Sequence, residues 1–503
     1  MAITQIHTIQ PNILGGNLVN IEVDISNGLH AFSIVGLAGK AIDEAKDRVG
    51  SAIKHTGFKS PKSKNQKVIV SLSPADLKKE GPLFDLPIAI TYLLAAEEIE
   101  IDNEKRIYLG ELGLDGTLRP VRGTLSATRV AKNLGFKEVI VPIENASEAA
   151  LIEDITIYPA SSLSEVIAHV SPQTDTAKLK PQPITEISQS WHESTINLED
   201  IKGQESAKRG LIIAAAGGHN VMFVGPPGTG KTMLARALRS LLPPLSREEA
   251  LEVTAIHSIA NTDYNISTRP PFRSPHHTSS HTALVGGGTN PKPGEITLAH
   301  RGVLFMDEFP EFDRRSLDAL RQPLEDRVVT ISRIQGSAEF PADFILVAAL
   351  NPYRGSEDGT TDLLRAMNET YKNKVSGPIL DRIDLWLEVP HVPYDTLTKL
   401  NRTEGETDAA RNQILSARDK QTERLKNSPA KINSGMSARD IENLIGLDDD
   451  VKGLLKQSSA KLNLSPRSYH RLVKVARTIA DLDNSTEIQA NHVLEALQYR
   501  VPV

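Results

Sequence analysis

Apolar residues in the first third of the chain recur with two different periods. Residues 20–25 and 67–72 alternate apolar and polar side chains, which predicts two half-exposed β-strands. Residues 41–55 carry apolar side chains at helical spacing, which predicts a helix. Residues 86–96 are largely apolar and predict a second, buried helix. We therefore expect residues 1–170 to form an α+β domain.

The rest of the chain falls into three segments of different composition and hydrophobic pattern. Residues 171–196 contain three prolines and few large apolar side chains, which is typical of a linker. Over residues 197–390 short apolar strands alternate with helices, which predicts a parallel sheet covered by helices. Residues 391–503 are mostly helical and charged in pattern. Three exposed amphipathic helices are expected here, over residues 408–426, 467–482 and 487–499.

Composition excludes several classes of function. The 503 residues contain no cysteine, which excludes disulfide frameworks, thiolate zinc sites and cysteine nucleophiles. With 57 basic and 63 acidic residues the net charge is −6, so any contact with DNA must come from a local patch. The sequence shows neither a signal-peptide pattern nor an apolar run long enough for a membrane span. We expect a soluble, cytoplasmic protein of several domains.

The strongest chemical signal is a phosphate-binding motif between an apolar strand, residues 221–224, and a helix, residues 232–242. Its glycines let backbone N–H groups surround phosphate oxygens, and the helix N-terminus adds favourable partial charge. Lys231 is expected to neutralise the β- and γ-phosphates of ATP, and Thr232 to ligate Mg²⁺. The motif consists of Gly225, Pro226, Pro227, Gly228, Thr229, Gly230, Lys231 and Thr232.

Two later apolar strands end in polar residues that suit the same chemistry. The strand at residues 303–306 is followed by Asp307, expected to hold Mg²⁺ and its water shell, and by Glu308, expected to polarise the attacking water. The alternative is an acidic N-cap for the next helix. The strand at residues 344–350 ends at Asn351, whose amide either positions that water or belongs to a turn.

These motifs, in this order, resemble those of AAA+ ATPases, and finer features resemble the ComM/YifB family of the magnesium-chelatase-like branch. The resemblance implies a multidomain α/β protein with a Lon-protease-like α+β N-terminal domain, an AAA+ P-loop domain with a parallel sheet and a C-terminal helical lid. It also implies a homo-oligomer that depends on ATP and Mg²⁺, forms a hexameric ring and acts on single-stranded or branched DNA. The finer features lie at residues 269–277, 284–288, 293–305, 376–384 and 469–482.

The same resemblance assigns roles to arginines. Arg382 corresponds to the arginine finger that reaches a neighbouring subunit's γ-phosphate; the alternative is an ion pair with Asp381 or Asp384. Arg467 corresponds to the sensor-2 arginine of the lid, a role that Arg471, one turn further along, can also take. The sequence leaves open whether the lid arginine acts within its own subunit or across the interface.

Contacts with DNA are expected from a hairpin and the insert before it. Residues 328–340 predict a β-hairpin in which Arg333 either contacts a phosphate or is simply a solvated charge. His276, His277 and Lys292 lie in the preceding insert and are further candidates for DNA binding. Zinc is disfavoured at His276, His277, His281 and His300, because adjacent histidine side chains point in different directions and no cysteine or carboxylate completes a ligand set.

The chain departs from the patterns it resembles in two places. Lon-type hydrolysis needs a serine activated by a lysine, and the aligned positions are Leu83 and Leu125. No peptidase activity is therefore expected, and we interpret the first domain as a scaffold or a partner-binding module. After Asn351 the chain lacks the cysteine cluster that many ComM-like proteins carry there.

The resemblance implies branch migration that aids the integration of DNA during natural transformation and recombination, with recombination proteins as possible partners. One alternative is a magnesium-chelatase-like ATPase that drives metal insertion or remodels a protein partner. Another is a nucleotide-dependent scaffold without motor activity. Stimulation of ATP hydrolysis by DNA favours the motor, whereas stimulation by protein alone favours the chelatase-like function.

Overall fold

The structure, a computed structural model, divides into two compact units. The first comprises Met1–Ser188 and Arg247–Ser267, and the second comprises Gln189–Ser246 and Thr268–Val503. The residues described are 5–12, 15–61, 65–101, 105–172, 178–192, 195–260, 266–288, 292–333, 336–351, 375–393, 405–462 and 464–500.

The first unit is built on a mixed sheet. Its strands are β1 (Gln5–Pro11), β2 (Gly16–Asn27), β3 (Ala31–Val35), β4 (Gln66–Ser73), β5 (Arg106–Tyr108), β6 (Glu111–Leu112), β7 (Leu118–Arg119), β8 (Glu138–Pro142) and β9 (Thr156–Ala160). Seven of them form one sheet in the order β3-β4-β2-β1-β5-β8-β9, and β6 pairs with β7. β2 is antiparallel to β1 and β4, whereas the other pairs in the large sheet are parallel. The two strand predictions are confirmed within β2 and β4.

Helices of the first unit cover this sheet. They are α1 (Lys40–His55), α2 (Asp85–Ala95), α3 (Thr124–Asn133), α4 (Ala146–Ala149) and α5 (Leu163–Val170). The predicted helices at residues 41–55 and 86–96 are confirmed as α1 and α2, and α2 is buried from Asp85 to Leu93 because it packs on the core side of β1 and β2. Residues 178–192 contain neither helix nor strand, and Gln182 donates its N–H to the Ile157 carbonyl (2.8 Å).

The second unit contains a parallel sheet, as predicted. Its strands are β10 (Val221–Val224), β11 (Phe272–Arg273), β12 (Gly286–Gly287), β13 (Lys292–Pro293), β14 (Val303–Met306), β15 (Val328–Arg333), β16 (Gly336–Pro341), β17 (Ile345–Leu350) and β18 (Leu385–Glu388). The sheet order is β11-β14-β17-β10-β18, and every pair in it is parallel. β15 and β16 form the predicted antiparallel hairpin. Because the central strands are parallel, their carboxyl ends meet at one edge.

The remaining helices are α6 (Glu205–Gly217), α7 (Lys231–Leu241), α8 (Arg247–Ala260), α9 (His281–Val285), α10 (Glu295–Leu298), α11 (Arg314–Asp318), α12 (Arg321–Asp326), α13 (Gly377–Leu380), α14 (Glu406–Arg424), α15 (Ala438–Leu444), α16 (Asp449–Lys461), α17 (Pro466–Leu482) and α18 (Ala490–Gln498). Residues of the sheet, of α6 and α7 and of the C-terminal helices share one apolar cluster. The P-loop segment and the helical C-terminal segment are therefore parts of the same compact unit.

Helix α8 lies within the span 197–390 that the sequence analysis gave to the ATPase core, yet it belongs to the first unit. The physical reason is its apolar face. Ala255 is buried in a small cluster with Leu125 of α3 and with Leu151 and Ile152. Arg247 adds an ion pair to Glu153 (2.8 Å). The chain therefore leaves the second unit after α7, contributes one helix to the first unit and returns.

Helix α14 corresponds to the exposed amphipathic helix predicted at residues 408–426. Its residues Ala410, Ile414 and Ala417 are buried, because α6 packs against this face. Gln421 is fully buried and donates to the Ala216 carbonyl (3.1 Å). Burial of this one face fits an amphipathic helix, although its small alanines leave only a weak apolar signal in the sequence. Within the described part of the chain, no helix has the length and apolarity that a membrane span requires.

Candidate functional site

The phosphate-binding loop begins where β10 ends, and its shape depends on glycine. A Cβ on Gly225 would lie 2.1 Å from the carbonyl oxygen of Val389, so only glycine lets the loop pass this close to the end of β18. Gly228 and Gly230 have φ angles of 79° and 93°, in the left-handed region that glycine favours. The loop is closed by the Thr229 hydroxyl, which donates to the Pro226 carbonyl (3.0 Å).

Lys231 is the first residue of α7 and lies inside the loop. Its ammonium donates to the carbonyl oxygens of Gly225 (2.8 Å) and Pro226 (2.7 Å). Burial lowers the pKa of Lys231, and the negative charge of Asp307 opposes that shift. The ammonium of Lys231 therefore lies inside the loop, at the position that the phosphate-binding motif requires for a cation. Its two hydrogen bonds go to carbonyl oxygens of the loop.

Thr232 and Asp307 bring two hard oxygen donors together. The Thr232 hydroxyl lies 3.4 Å from Asp307 Oδ2, although 75 residues separate them along the chain. Asp307 directly follows β14, which lies two strands from β10 in the sheet. Hydroxyl and carboxylate oxygens are ligands that Mg²⁺ prefers, and such a site keeps several waters. This donor set fits the magnesium ion that the motif implies.

Glu308 and Asn351 follow the ends of neighbouring parallel strands. Glu308 has a φ of 50°, and its N–H donates to Asp307 Oδ1 (2.9 Å). Its carboxylate contacts His277, with 3.0 Å between Nδ1 and Oε2. Asn351 is the residue after β17, which pairs with both β10 and β14. Topology therefore brings all the predicted hydrolytic residues of this subunit to one edge of the sheet.

Arg382 is paired with a carboxylate that the sequence analysis did not consider. Its guanidinium contacts Glu325 and the Pro378 carbonyl, and the side chain is 7% exposed. Arg467 contacts the other oxygen of the same Glu325 carboxylate. Asp381 and Asp384 were the alternative partners expected for Arg382, and neither forms an ion pair with it among the described residues.

Asp384 instead pairs with Arg471, with 3.6 Å between the carboxylate and Nε. The other carboxylate oxygen accepts the N–H of Asn220 (3.0 Å) and lies 3.5 Å from His219 Nδ1. Burial alone would raise the pKa of Asp384, but His219 and Arg471 hold it at about 2. Asn220 also donates to the Arg382 carbonyl (3.0 Å). Arg471 is thus occupied within its own subunit, and the start of β18 is fixed beside Arg382.

The four predicted DNA contacts are distributed over three places. Nδ1 of His276 forms a hydrogen bond with the Thr278 hydroxyl (2.8 Å). The centre of its ring lies 4.2 Å from that of His277, which contacts Glu308. Lys292 is exposed in the small β12–β13 ladder. The backbone of Arg333 pairs with Gly336 at the end of the hairpin, and its side chain lies outside the described residues. The segment 352–374 after Asn351 also lies outside them.

The positions aligned with the Lon nucleophile and base are buried in the first unit. Leu83 belongs to the main core of that unit, whereas Leu125 packs in the separate cluster with α8. Lys79, close to Leu83 in sequence, is buried and donates to the Pro74 carbonyl. Burial lowers the pKa of Lys79, and Asp76 opposes that shift.

A cavity of about 350 Å³ next to the loop was missed by the sequence analysis. Gly203 and Gln204, both in the left-handed region, form one wall, and the Gln204 amide donates to the Pro390 carbonyl (2.6 Å). Pro390 directly follows Val389, which packs on Gly225. The feature of the sequence that could have indicated this cavity is the Gly203-Gln204 pair, which directly precedes α6. The cavity is lined by Gly203, Gln204, Glu205, Ser206, Glu388, Pro390, His391, Val392 and Pro393.

This fold and this arrangement of residues define a magnesium-chelatase-type AAA+ domain. Residues 197–397 match the family described as magnesium chelatase, subunit ChlI. Residues 21–145 match the description subunit ChlI of Mg-chelatase, and residues 404–500 match magnesium chelatase, subunit ChlI C-terminal.

Similar proteins define the family within this class more closely. Competence protein ComM of Haemophilus influenzae is 44% identical over 97% of this chain and 95% of its own length. Protein YifB of Salmonella typhimurium and protein YifB of Escherichia coli are each 42% identical over 99% of this chain and 97% of their own length. The chain belongs to the ComM/YifB family, which confirms the resemblance drawn from its motifs.

Proposed function

We propose that this protein is an ATP-hydrolysing, ring-forming DNA motor that drives branch migration and thereby promotes the integration of DNA during transformation and recombination. The observation that carries the ATPase part is the shared sheet edge, where Lys231, Thr232, Asp307, Glu308 and Asn351 come together from three parallel strands. The DNA part rests on the family relationship, since the Haemophilus relative is named a competence protein.

In this proposal each residue has one task. Lys231 binds the β- and γ-phosphates, and Thr232 and Asp307 would hold Mg²⁺, which neutralises phosphate charge when bound. Glu308 polarises the attacking water, and Asn351 orients it. The cavity beside Gln204 takes the nucleoside, because it adjoins the strand end against which Gly225 packs.

Arg382 and Arg467 complete the site of a neighbouring subunit. Because both arginines bind the same Glu325 carboxylate, they are close enough to act on one nucleotide. If Arg382 is the finger that acts in trans, then Arg467 acts across the interface as well. A role in trans for both arginines requires a homo-oligomer, for which we propose a hexameric ring. Arg467 is a better candidate for the lid arginine than Arg471, which is paired with Asp384.

DNA contacts in this proposal come from the hairpin and the loops at the acidic strand end. The net charge of −6 makes a single subunit a poor DNA binder, so several copies of a few cations must act together. Arg333, His276, His277 and Lys292 remain the proposed contacts. His277 has a second possible role, because it touches Glu308.

A second candidate function is a chelatase-like ATPase that remodels a protein partner or drives metal insertion. It is favoured by the match of all three segments to descriptions of the magnesium chelatase subunit. DNA is the discriminating ligand, since a motor that tracks DNA gains turnover from it and a protein remodeller does not.

The test compares ATP turnover of the purified full chain without DNA, with single-stranded DNA and with a four-way junction. Lys231→Ala serves as the control for contaminating ATPase. The proposal expects turnover that depends on Lys231 and rises with DNA. Turnover that depends on Lys231 but stays the same with every DNA supports the chelatase-like function, and absence of turnover contradicts both.

A further inference from the structure

Glu325 joins two arginines that come from distant parts of the chain. It lies near the end of α12, 57 residues before Arg382 and 142 residues before Arg467. Arg382 contacts Oε2 and Arg467 contacts Oε1, so both carboxylate oxygens are used. The Arg382 side chain is 7% exposed, whereas Glu325 and Arg467 are each 48% exposed. The cluster therefore reaches the surface on the Arg467 side.

The carboxylate uses the donors that a phosphate would need. Arginine recognises carboxylates and phosphates through the same planar N–H groups, and it binds both by charge-assisted hydrogen bonds. The hydrogen bond from Arg382 lowers the pKa of Glu325, so the group is ionised at neutral pH. An Nη2 group that faces Glu325 cannot at the same time face a nucleotide. Glu325 and a phosphate therefore compete for the N–H groups that now face the carboxylate.

The helix that carries Glu325 is also tied to the hairpin. The Gln322 side chain of α12 donates to the Thr330 hydroxyl of β15 (2.9 Å) and accepts the Thr330 N–H (3.3 Å). Only Arg327, in the left-handed conformation, separates α12 from β15. These two hydrogen bonds and the short connection tie the position of β15 to that of α12, the helix that carries Glu325.

We propose that Glu325 is a positioning residue that holds Arg382 and Arg467 together in the free subunit, that a neighbouring subunit's nucleotide displaces it, and that movement of the β15–β16 hairpin promotes this exchange. The inference rests on the proposed function, because it takes both arginines as phosphate ligands in trans. Glu325 thus restrains turnover when no DNA moves the hairpin, and it couples DNA binding to hydrolysis.

The test uses three variants of the full chain. Glu325→Gln removes the charge at nearly constant shape, and Glu325→Asp restores the charge. Asp326→Asn removes a neighbouring charge on the same helix, and no ion pair to Asp326 is seen among the described residues. Two quantities are measured for each variant: the concentration of a non-hydrolysable ATP analogue at half-maximal oligomerisation, and ATP turnover with and without single-stranded DNA.

Of the three variants, Glu325→Gln is expected to show the largest change in both measured quantities. Its oligomerisation midpoint should fall and its DNA-free turnover should rise by roughly three- to tenfold, the size expected for two partly exposed ion pairs. Its stimulation by DNA should shrink accordingly. Glu325→Asp should lie nearer to the wild type, and Asp326→Asn should match it. A purely structural role for Glu325 would leave the oligomerisation midpoint unchanged or raise it.

Two outcomes overturn the inference while leaving the proposed function intact. One is a Glu325→Gln variant that behaves like Asp326→Asn in both measurements. The other is a variant whose DNA-free turnover falls, which would mean that Glu325 supports the arginines in hydrolysis. If the wild type neither hydrolyses ATP nor oligomerises with the analogue, the proposed function fails and the inference fails with it.

Discussion

Replacing Asp384 by asparagine should destabilise the second unit, because this carboxylate is the counter-charge for a buried cation. It is close to Arg471, whose side chain is 16% exposed, and to His219, which is fully buried. The amide of asparagine keeps the shape and can still accept the Asn220 N–H, but it carries no charge. The variant therefore isolates the electrostatic part of the interaction.

The size of the effect follows from the pKa of Asp384, which is about 2 in the folded chain against 3.8 for an unperturbed aspartate. Because the folded pKa is the lower of the two, the ionised carboxylate stabilises the fold above pH ~4, and this contribution is lost as the pH falls towards 2. One pKa unit corresponds to ~1.4 kcal/mol, so Asp384→Asn should cost about 2 kcal/mol at pH 7.

The chain offers a selective readout for this unit. Both of its tryptophans, Trp191 and Trp386, belong to the second unit, so denaturant unfolding followed by tryptophan fluorescence reports on that unit alone. Asp449→Asn is the matched control, since this carboxylate is 99% exposed and its loss should change stability by less than about 0.5 kcal/mol.

Asp384→Asn should lower the free energy of unfolding at pH 7, and its difference from the wild type should narrow between pH 4 and pH 3. Equal unfolding midpoints at pH 7 would refute the assigned electrostatic role. A difference that stays constant down to pH 3 would also refute it, because protonation of the wild-type carboxylate would then not matter.

Three further predictions concern the chemistry and its partners. Glu308→Gln should retain binding of a fluorescent ATP analogue with Mg²⁺ while losing roughly 10²-fold or more in turnover, whereas Lys231→Ala should weaken binding itself; normal turnover of Glu308→Gln contradicts its assignment. Arg382→Ala and Lys231→Ala subunits should partly restore ATPase activity when mixed, and no recovery in confirmed mixed rings speaks against a role in trans. Arg333→Ala should weaken binding equally for unrelated DNA sequences and flatten the salt dependence; an unchanged salt slope removes this residue from the DNA path.

The ATP site could be predicted from the sequence because its chemistry is local. A glycine loop between strand and helix, and polar residues directly after apolar strands, are read from short segments. Parallel pairing then brings these segments to one edge without any further information. The contact between Thr232 and Asp307 follows from this rule, although the residues are 75 positions apart.

The partners of the arginines could not be predicted in this way. Arg382 was expected to pair, if at all, with acids beside it in sequence, whereas the structure pairs it with Glu325, 57 residues away. No periodicity marks an exposed glutamate on a short helix as the partner of two distant arginines. The packing of α8 with the first unit was not predicted for a similar reason, since the direction of its apolar face depends on the contacts with Leu125 and Leu151.

We propose that ATP hydrolysis by this protein moves a DNA junction. The most direct measurement incubates the purified chain with a labelled four-way junction whose arms can migrate, and follows its conversion to duplex products in the presence of ATP and Mg²⁺. We expect conversion with ATP, none with a non-hydrolysable analogue and none with Glu308→Gln. An unchanged junction, under conditions in which the same preparation hydrolyses ATP and binds the DNA, would contradict the proposed branch migration.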